Sequence, residues 1–597
     1  MPRSLRRGRS PAALAPAAVT AAALIASAAG IVPAAATSPG TPGQALAQAQ
    51  ATGRVITVSS LTTASSLTTV SPTGRFAVTE SLLPVRVRRD GRWVPLNPAL
   101  HRAGGRLVPA ATASLVSLSD GGPGSLARLA DAGWTLAIGW PGSLPPPSVS
   151  GSTAIYAGVP VAGANLVVTV SSLGTVTVVA EATDPAASRA LSSFRLLTSA
   201  PGLSLSTDLA GDLAFAETGT AEPVFTAQAP RMWDSAPLPK GAPVITDPGS
   251  GEQLAVPSGL PARSSTGGPG GLARPAAVPV AVSGGAITLT PPAASLTGHG
   301  AVYPLYTSLT FAPDVTKNAS AWSQISSGAG TSWMQAGCLD GESGQCLQAG
   351  YCDSSAPYMA GCGDTGLTRT LLRFPLPGLP AGTKVATADV YLENVWTAAC
   401  MAEPLELWAI PPFSRSTAWS SSGQWKTRLE RETFHGYGDV KLPDGGSCGP
   451  GYSQRDLVFG TNSGTKKGVR VTGGSQDALA ALLQSSLDHS AWSVSLGLRA
   501  ADESTSDGTA YLQWRQFMNK AGALTLQFTY DHLPSVPASV SSSPGGGCQT
   551  DRAYPAEVGA DGLTLYAKAS DPDGDTGLST TFAIYAYPSG RRQYQVA

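Results

Sequence analysis

The sequence predicts an all-β fold built from several antiparallel β-sandwiches, and three observations carry that prediction. The first is alternation with period two: Val494, Leu496 and Leu498 alternate with Ser493, Ser495 and Gly497, and Leu524, Leu526, Phe528 and Tyr530 with Thr525, Gln527 and Thr529. Such segments put one face in a core and the other toward solvent, as half-buried antiparallel strands do. The second is composition, since 68 Gly and 49 Pro in 597 residues make turns frequent and long helices few. The third is length, which exceeds what one hydrophobic core can hold and implies about three or four domains.

Taken in order, residues 1–36 read as a signal peptide. Arg3, Arg6, Arg7 and Arg9 form a basic start, an apolar Ala/Leu/Ile-rich stretch follows, and Ala34, Ala35 and Ala36 supply a small-residue cleavage site. An Ala/Gln/Thr-rich linker covers 37–50, and an N-terminal β-rich domain covers 51–234. Its strand-like segments are Val55–Val58, Arg75–Thr79, Val85–Arg88, Trp93–Leu96, Trp134–Trp140 and Leu166–Val179. Arg88 to Trp93 reads as a hairpin, because Asp90-Gly91 readily supplies the positive φ angles of a two-residue turn.

A Pro/Gly/Ser-rich segment, 235–277, is too polar to bury a core and reads as a linker or long surface excursion. Strand character returns at Val278–Val282 and Ala286–Thr290, within a stretch 278–300 that rejoins the N-terminal β domain. Residues 301–533 form the best-defined unit, with eight of the twelve Trp and six of the seven Cys. One short helix is expected there, over Gln476–Leu487. Leu479, Leu482, Leu483 and Leu487 share a face, Ser475 or Asp477 caps the start, and the helix closes one end of the sandwich. A Pro/Ser linker at 534–547 leads to 548–597, shorter than the roughly 100 residues of an immunoglobulin sandwich and so read as part of an immunoglobulin-like domain. Its strands, Leu563–Ala567 and Thr581–Ala586, flank an Asp-rich loop.

Charge and cysteine usage narrow the partners. Charged residues are 13% of the chain, the net charge is zero, and no basic stripe follows the leader, which argues against nucleic acid. Nothing after the leader can span a bilayer, so no membrane span is expected after signal cleavage. Seven Cys fit an oxidising, extracellular compartment. The candidates for disulfides are Cys338, Cys346, Cys352, Cys362, Cys400 and Cys448. Proximity favours Cys338–Cys346, Cys352–Cys362 and Cys400–Cys448 among 15 pairings. Cys548 is left over, and zinc-type CxxC spacing is absent from the sequence.

Catalytic chemistry finds little support. His101, His299, His435, His489 and His532 are scattered without a His-Glu-x-x-His. No catalytic residue and no cofactor is therefore expected. Asp571, Asp573 and Asp575 place hard oxygen ligands at alternate positions, and two readings stay open: a turn with solvated aspartates, or a weak structural calcium site. Trp419 and Trp425, six apart in a Ser/Gly-rich stretch, read either as core or as indole platforms for sugar stacking, whereas Trp396 and Trp408 read as core.

Three stretches resemble one family. Gly74-Arg75-Phe76, Leu82 to Val87, Gly91 to Leu96 and Ala229 to Asp234 resemble the N-terminal region of large secreted DNRLRE/LamG-type proteins of high-GC Gram-positive bacteria. Arg369 to Leu376, Ala381 to Ala388 and Gly497 to Ser504 are similar to the strands of the DNRLRE domain, and the Asp571-Pro572-Asp573-Gly574 loop looks like the immunoglobulin-like module that follows it. The resemblance implies a sandwich akin to carbohydrate-binding modules at 301–533. The expected function is thus a secreted, non-catalytic surface or matrix protein, with polysaccharide or cell wall as partner. A structural stalk, or the N-terminal part of a larger adhesin or delivery protein, is the second reading. An extracellular hydrolase is the third, since its paired carboxylates can lie far apart in a sequence.

Overall fold

A computed structural model describes residues 40–582, 585–586 and 594–595, except 238–243, 247–252, 256–262, 314–319, 334–344, 354–365, 398–403, 434–455, 463–469, 472–476, 548–561, 573–577 and gaps of one to four residues. The expected signal peptide lies outside the described residues. The rest is an all-β, multidomain, antiparallel structure with four α-helices among the described residues.

Two sandwiches dominate. In the N-terminal one, an eight-stranded sheet (280–283, 286–289, 194–199, 134–139, 125–131, 115–119, 106–111, 97–103) shares a core with a ten-stranded sheet whose main path is 148–150, 153–157, 164–170, 176–182, 305–313, 223–227, 213–217, 203–207. Period-two alternation aims Leu118, Leu129, Leu136, Ile138 and Leu196 from one sheet at Leu166, Val168, Val178, Phe215 and Phe311 from the other. The apolar run Leu166–Val179 is a hairpin rather than one strand. It reverses at Ser171–Thr175, where Ser171 Oγ accepts from the backbone of Leu173 and Thr175 and Gly174 takes φ 89°. The Arg89–Arg92 hairpin has both turn residues at positive φ, Asp90 at 47° and Gly91 at 76°.

In the C-terminal sandwich, one layer holds strands 66–70, 76–81, 524–532, 383–397 and 456–460. The other holds 330–333, 321–326, 366–375, 493–500, 405–409 and 427–433. Strands 515–519 and 345–352 carry the pairing from one layer to the other, and both layers contribute to a single core. The expected helix spans Ala478–Asp488, with Leu479 and Leu483 buried and Leu482 and Leu487 packed against that core. Gln484 holds it against the start of strand 383–397, accepting from Val385 N and donating to Thr383 O. Asp477 does not cap it: the residue is helical at φ −93°, ψ −1° and its side chain makes no capping bond. Ser475 lies outside the described residues.

Three groupings differ from those read in the sequence. Residues 37–50 are not merely a linker, because Pro42–Thr52 is a helix with a Thr41/Gln44 capping box, and its Ala45, Leu46 and Ala49 are buried in the C-terminal core. Strands 66–70 and 76–81, grouped by composition with the N-terminal domain, belong to the C-terminal sandwich, while 305–313 belongs to the N-terminal one. The segment 235–277, where described, docks on the outer face of the ten-stranded sheet instead of running free. Trp233 and Ala273 pack there with Val167, Val179 and Tyr306, and buried Asp234 accepts from Arg274 N at 2.8 Å and Nε at 2.7 Å. Around 534–597 the described residues form a three-stranded sheet (546–547, 540–543, 564–567) and a pair, 585–586 with 594–595.

Glu80 lies on the seam between strands 76–81 and 524–532, opposite Leu526, and is 1% exposed. Loss of water raises its pKa to about 7, against the opposing pull of a Ser66 hydrogen bond and the nearby Arg86 charge. The folded chain thus keeps a proton that the unfolded chain releases above its ordinary value of 4.5. Stability accordingly falls as pH rises from that value through about 7 and levels off above it. Glu80→Gln is expected to match the wild type in urea unfolding near pH 4.5 and to exceed it above pH 7 by about 3 kcal/mol. Equal stability at the higher pH would remove Glu80 as a buried acid.

Candidate functional site

The outer face of the layer 366–375, 493–500, 405–409, 427–433 carries a compact group of tryptophans, arginines and glutamates. Alternation explains why they collect there. Leu405 and Leu407 point into the core, so Glu406 and Trp408 point out; Leu498 and Ala500 point in, so Arg499 points out. Register then lines them up, with Leu371, Gly497, Trp408 and Arg428 successive neighbours across four strands and Arg499 beside Glu406. Gly497 is required by close approach. A Cβ at that position would lie 2.6 Å from the Trp425 ring, which occupies the space above the missing side chain.

Glu406 is the centre of the charge network. It is 2% exposed and accepts from Arg428 at 2.8 Å, from Arg499 at 3.1 and 3.2 Å, and from the Trp408 indole N–H at 2.9 Å. Glu503 receives two bonds from Arg369, one at 2.7 Å from Nε and a second from the terminal nitrogen, and lies 3.8 Å from Arg499. Two of these guanidinia also lie over indole rings. Arg499 sits 4.2 Å from the centroid of Trp408, and Arg369 4.4 Å from Trp419 and 5.2 Å from Trp425. Further along the face, Arg373 lies 5.3 Å from the exposed Trp492. Such contacts contribute about 0.5–2 kcal/mol each, more as they are desolvated.

Of the residues singled out in the sequence, Trp419 and Trp425 are brought together through Arg369. Both are half-buried and pack against the core, with the Arg369 guanidinium over their rings. Trp408 joins them at 6.4 Å from Trp425, half-buried rather than fully internal; the Trp396 side chain lies outside the described residues. Arg369, Arg499 and Glu503 fall in the stretches that carry the DNRLRE resemblance but were not read as site residues, and neither were Glu406 and Arg428, although a charged residue between two leucines, as in Leu405-Glu406-Leu407, is a readable signal for an outward charge on a strand.

Asp571 is described, but Asp573 and Asp575 lie outside the described residues, and so do Cys338, Cys362, Cys400, Cys448 and Cys548. Cys346 and Cys352 are buried and each is disulfide-bonded. They occupy one strand six residues apart, about 20 Å in an extended chain, so each has its partner elsewhere. Among the described residues no group of three or more His, Cys, Asp or Glu is placed to hold a metal ion.

Removing the Glu406 carboxylate leaves two guanidinia and an indole N–H without their shared acceptor. Arg428 and Arg499 retain 38% and 24% side-chain exposure, which moderates the loss. Glu406→Ala is expected to cost about 2–3 kcal/mol in urea unfolding, and a loss below about 0.5 kcal/mol would show that the network is only a surface feature. No protein-family model matches the chain, and no curated protein sequence is significantly similar to it.

Proposed function

We propose that the chain is a secreted, non-catalytic surface or matrix protein that binds polysaccharide through the tryptophan–arginine face of its C-terminal sandwich. The observation that carries this reading is the fixed arrangement of Trp408, Trp419 and Trp425 around stacked guanidinia on one sheet face. Indole rings offer flat apolar area to the C–H face of a sugar, and the arginines and glutamates between them offer donors and acceptors to its hydroxyls. Because packing and ion pairs already hold these groups, little side-chain entropy remains to be lost on binding. Disulfides at Cys346 and Cys352 support an oxidising compartment. Among the described residues no helix is long and apolar enough to cross a membrane.

A second reading, a structural stalk, is favoured by the mutual pairing of the same charges, which braces the sheet without any ligand. The two readings part in one experiment on the full chain, because strands 66–81 complete this sandwich and an isolated 301–533 fragment lacks them. Retention on insoluble cellulose, chitin and peptidoglycan is measured for the wild type and for Trp419→Ala plus Trp425→Ala, with circular dichroism confirming the fold of both. The wild type is expected to be retained on at least one polymer, and the double variant to bind it about tenfold less tightly. A wild type that passes freely over all three would favour the stalk.

A further inference from the structure

A separate cleft of about 760 Å³ opens at one end of the N-terminal sandwich, far along the chain from the tryptophan–arginine face. Its two walls come from opposite sheets. One wall is the loop that leaves strand 134–139 at Trp140 together with the start of strand 194–199, and the other is the turn at Ala157–Pro160 after strand 153–157. Both walls are pinned by backbone bonds, Gly122 with Leu144 in both directions at 2.8 and 3.0 Å, and Val159 N to Ala164 O at 3.0 Å. The cleft is therefore formed in advance of any ligand.

Its chemistry is uneven in an informative way. Trp140 is half-buried and tilted at 33° to Phe194, with ring centroids 6.4 Å apart, so an aromatic surface forms one side. The exposed Ser143 and Ser193 bring hydroxyls, and Pro160 adds a rigid apolar edge. Arg195 is the one charged residue of the lining, and the lining contains no carboxylate. Among the described residues the Arg195 guanidinium is exposed and has no hydrogen-bond or ion-pair partner. This sets it apart from Arg369, Arg428 and Arg499, each of which is paired with a glutamate. An unpaired cation in the same lining as an aromatic pair fits a ligand with both a ring to stack and an anion to pair.

We propose that this cleft binds an acidic saccharide, a uronate-type ring that lays its apolar face on Trp140, places its carboxylate against Arg195 and turns its hydroxyls toward Ser143 and Ser193. The site lies on the other sandwich and does not rest on the polysaccharide reading of the C-terminal face. A neutral sugar leaves Arg195 unpaired, and a simple anion leaves the aromatic wall unused, so each alone binds more weakly than the two combined.

The test is affinity electrophoresis of the full chain in native gels containing polygalacturonate, with its fully methyl-esterified form as the uncharged counterpart. The wild type is expected to be retarded by the acid and not by the ester. Arg195→Gln, a surface change that leaves the core untouched, is expected to weaken the retardation about tenfold. Trp140→Ala is expected to weaken it as well, while Trp419→Ala plus Trp425→Ala and the remote exposed arginine variant Arg75→Gln leave it unchanged. An unretarded wild type, an Arg195→Gln variant that binds like the wild type, or an Arg75→Gln variant weakened as much as Arg195→Gln overturns the proposal. Loss in the Trp419/Trp425 double variant alone overturns it too, and assigns the acid to the C-terminal face.

Discussion

The pairing of strand Phe76–Ser81 with strand Leu524–His532 is the constraint on which the rest of the architecture depends. It joins residues more than 440 positions apart in register from Phe76 opposite Tyr530 to Ser81 opposite Thr525. The stacked rings of Phe76 and Tyr530, 5.0 Å apart and 6° from parallel, sit at one end of the seam. At the other end Leu82 N donates to Leu524 O and Gly522 N to Ser81 Oγ. With this seam closed, the sandwich formed by residues 97–313 is an insertion between the early and late strands of the other sandwich. The helix at 42–52 then has a core to cover, and strand 383–397 has a partner along its first half. Pairing over such a separation carries a large loop-closure entropy, though one that grows only slowly with loop length.

The same rule of alternation that builds the cores also builds the candidate site. On the layer opposite the seam, residues not needed inside are not left as scattered surface charges. They form a partly dry network in which Glu406 is almost fully buried and two arginines and an indole converge on it. A carboxylate at such depth is stable only with its partners present, so the face is held in one geometry. That rigidity serves either a binding platform or a brace. The cleft at Trp140 differs in kind, because there the cation Arg195 is left open in the same lining as the aromatic pair.

Much of the local structure was legible in the sequence. Period-two runs marked the strands at 493–500 and 524–532, Asp90-Gly91 marked a hairpin, and four leucines at helical spacing marked the helix at 478–488. What escaped has physical reasons. The helix at 42–52 hid in an Ala/Gln/Thr composition that resembles low complexity, although Thr41-Pro42 followed by Gln44 is a readable start. Strand partners escaped because nothing within a short segment specifies a neighbour hundreds of residues away. The polar segment 235–277 escaped because Asp234, Ser264 and Gly270 hold it by hydrogen bonds rather than by an apolar stripe. At the candidate site, the two tryptophans were visible as residue types, but the charges that fix them come from four strands and meet only through register.

The most direct test of this nested architecture is hydrogen–deuterium exchange, read by mass spectrometry, on the full chain carrying Phe76→Ala. A seam that closes the C-terminal sandwich predicts faster exchange in 524–532 and in 383–392, with 164–182 in the inserted sandwich unchanged. Acceleration confined to 66–81, with 524–532 still protected as in the wild type, would contradict it.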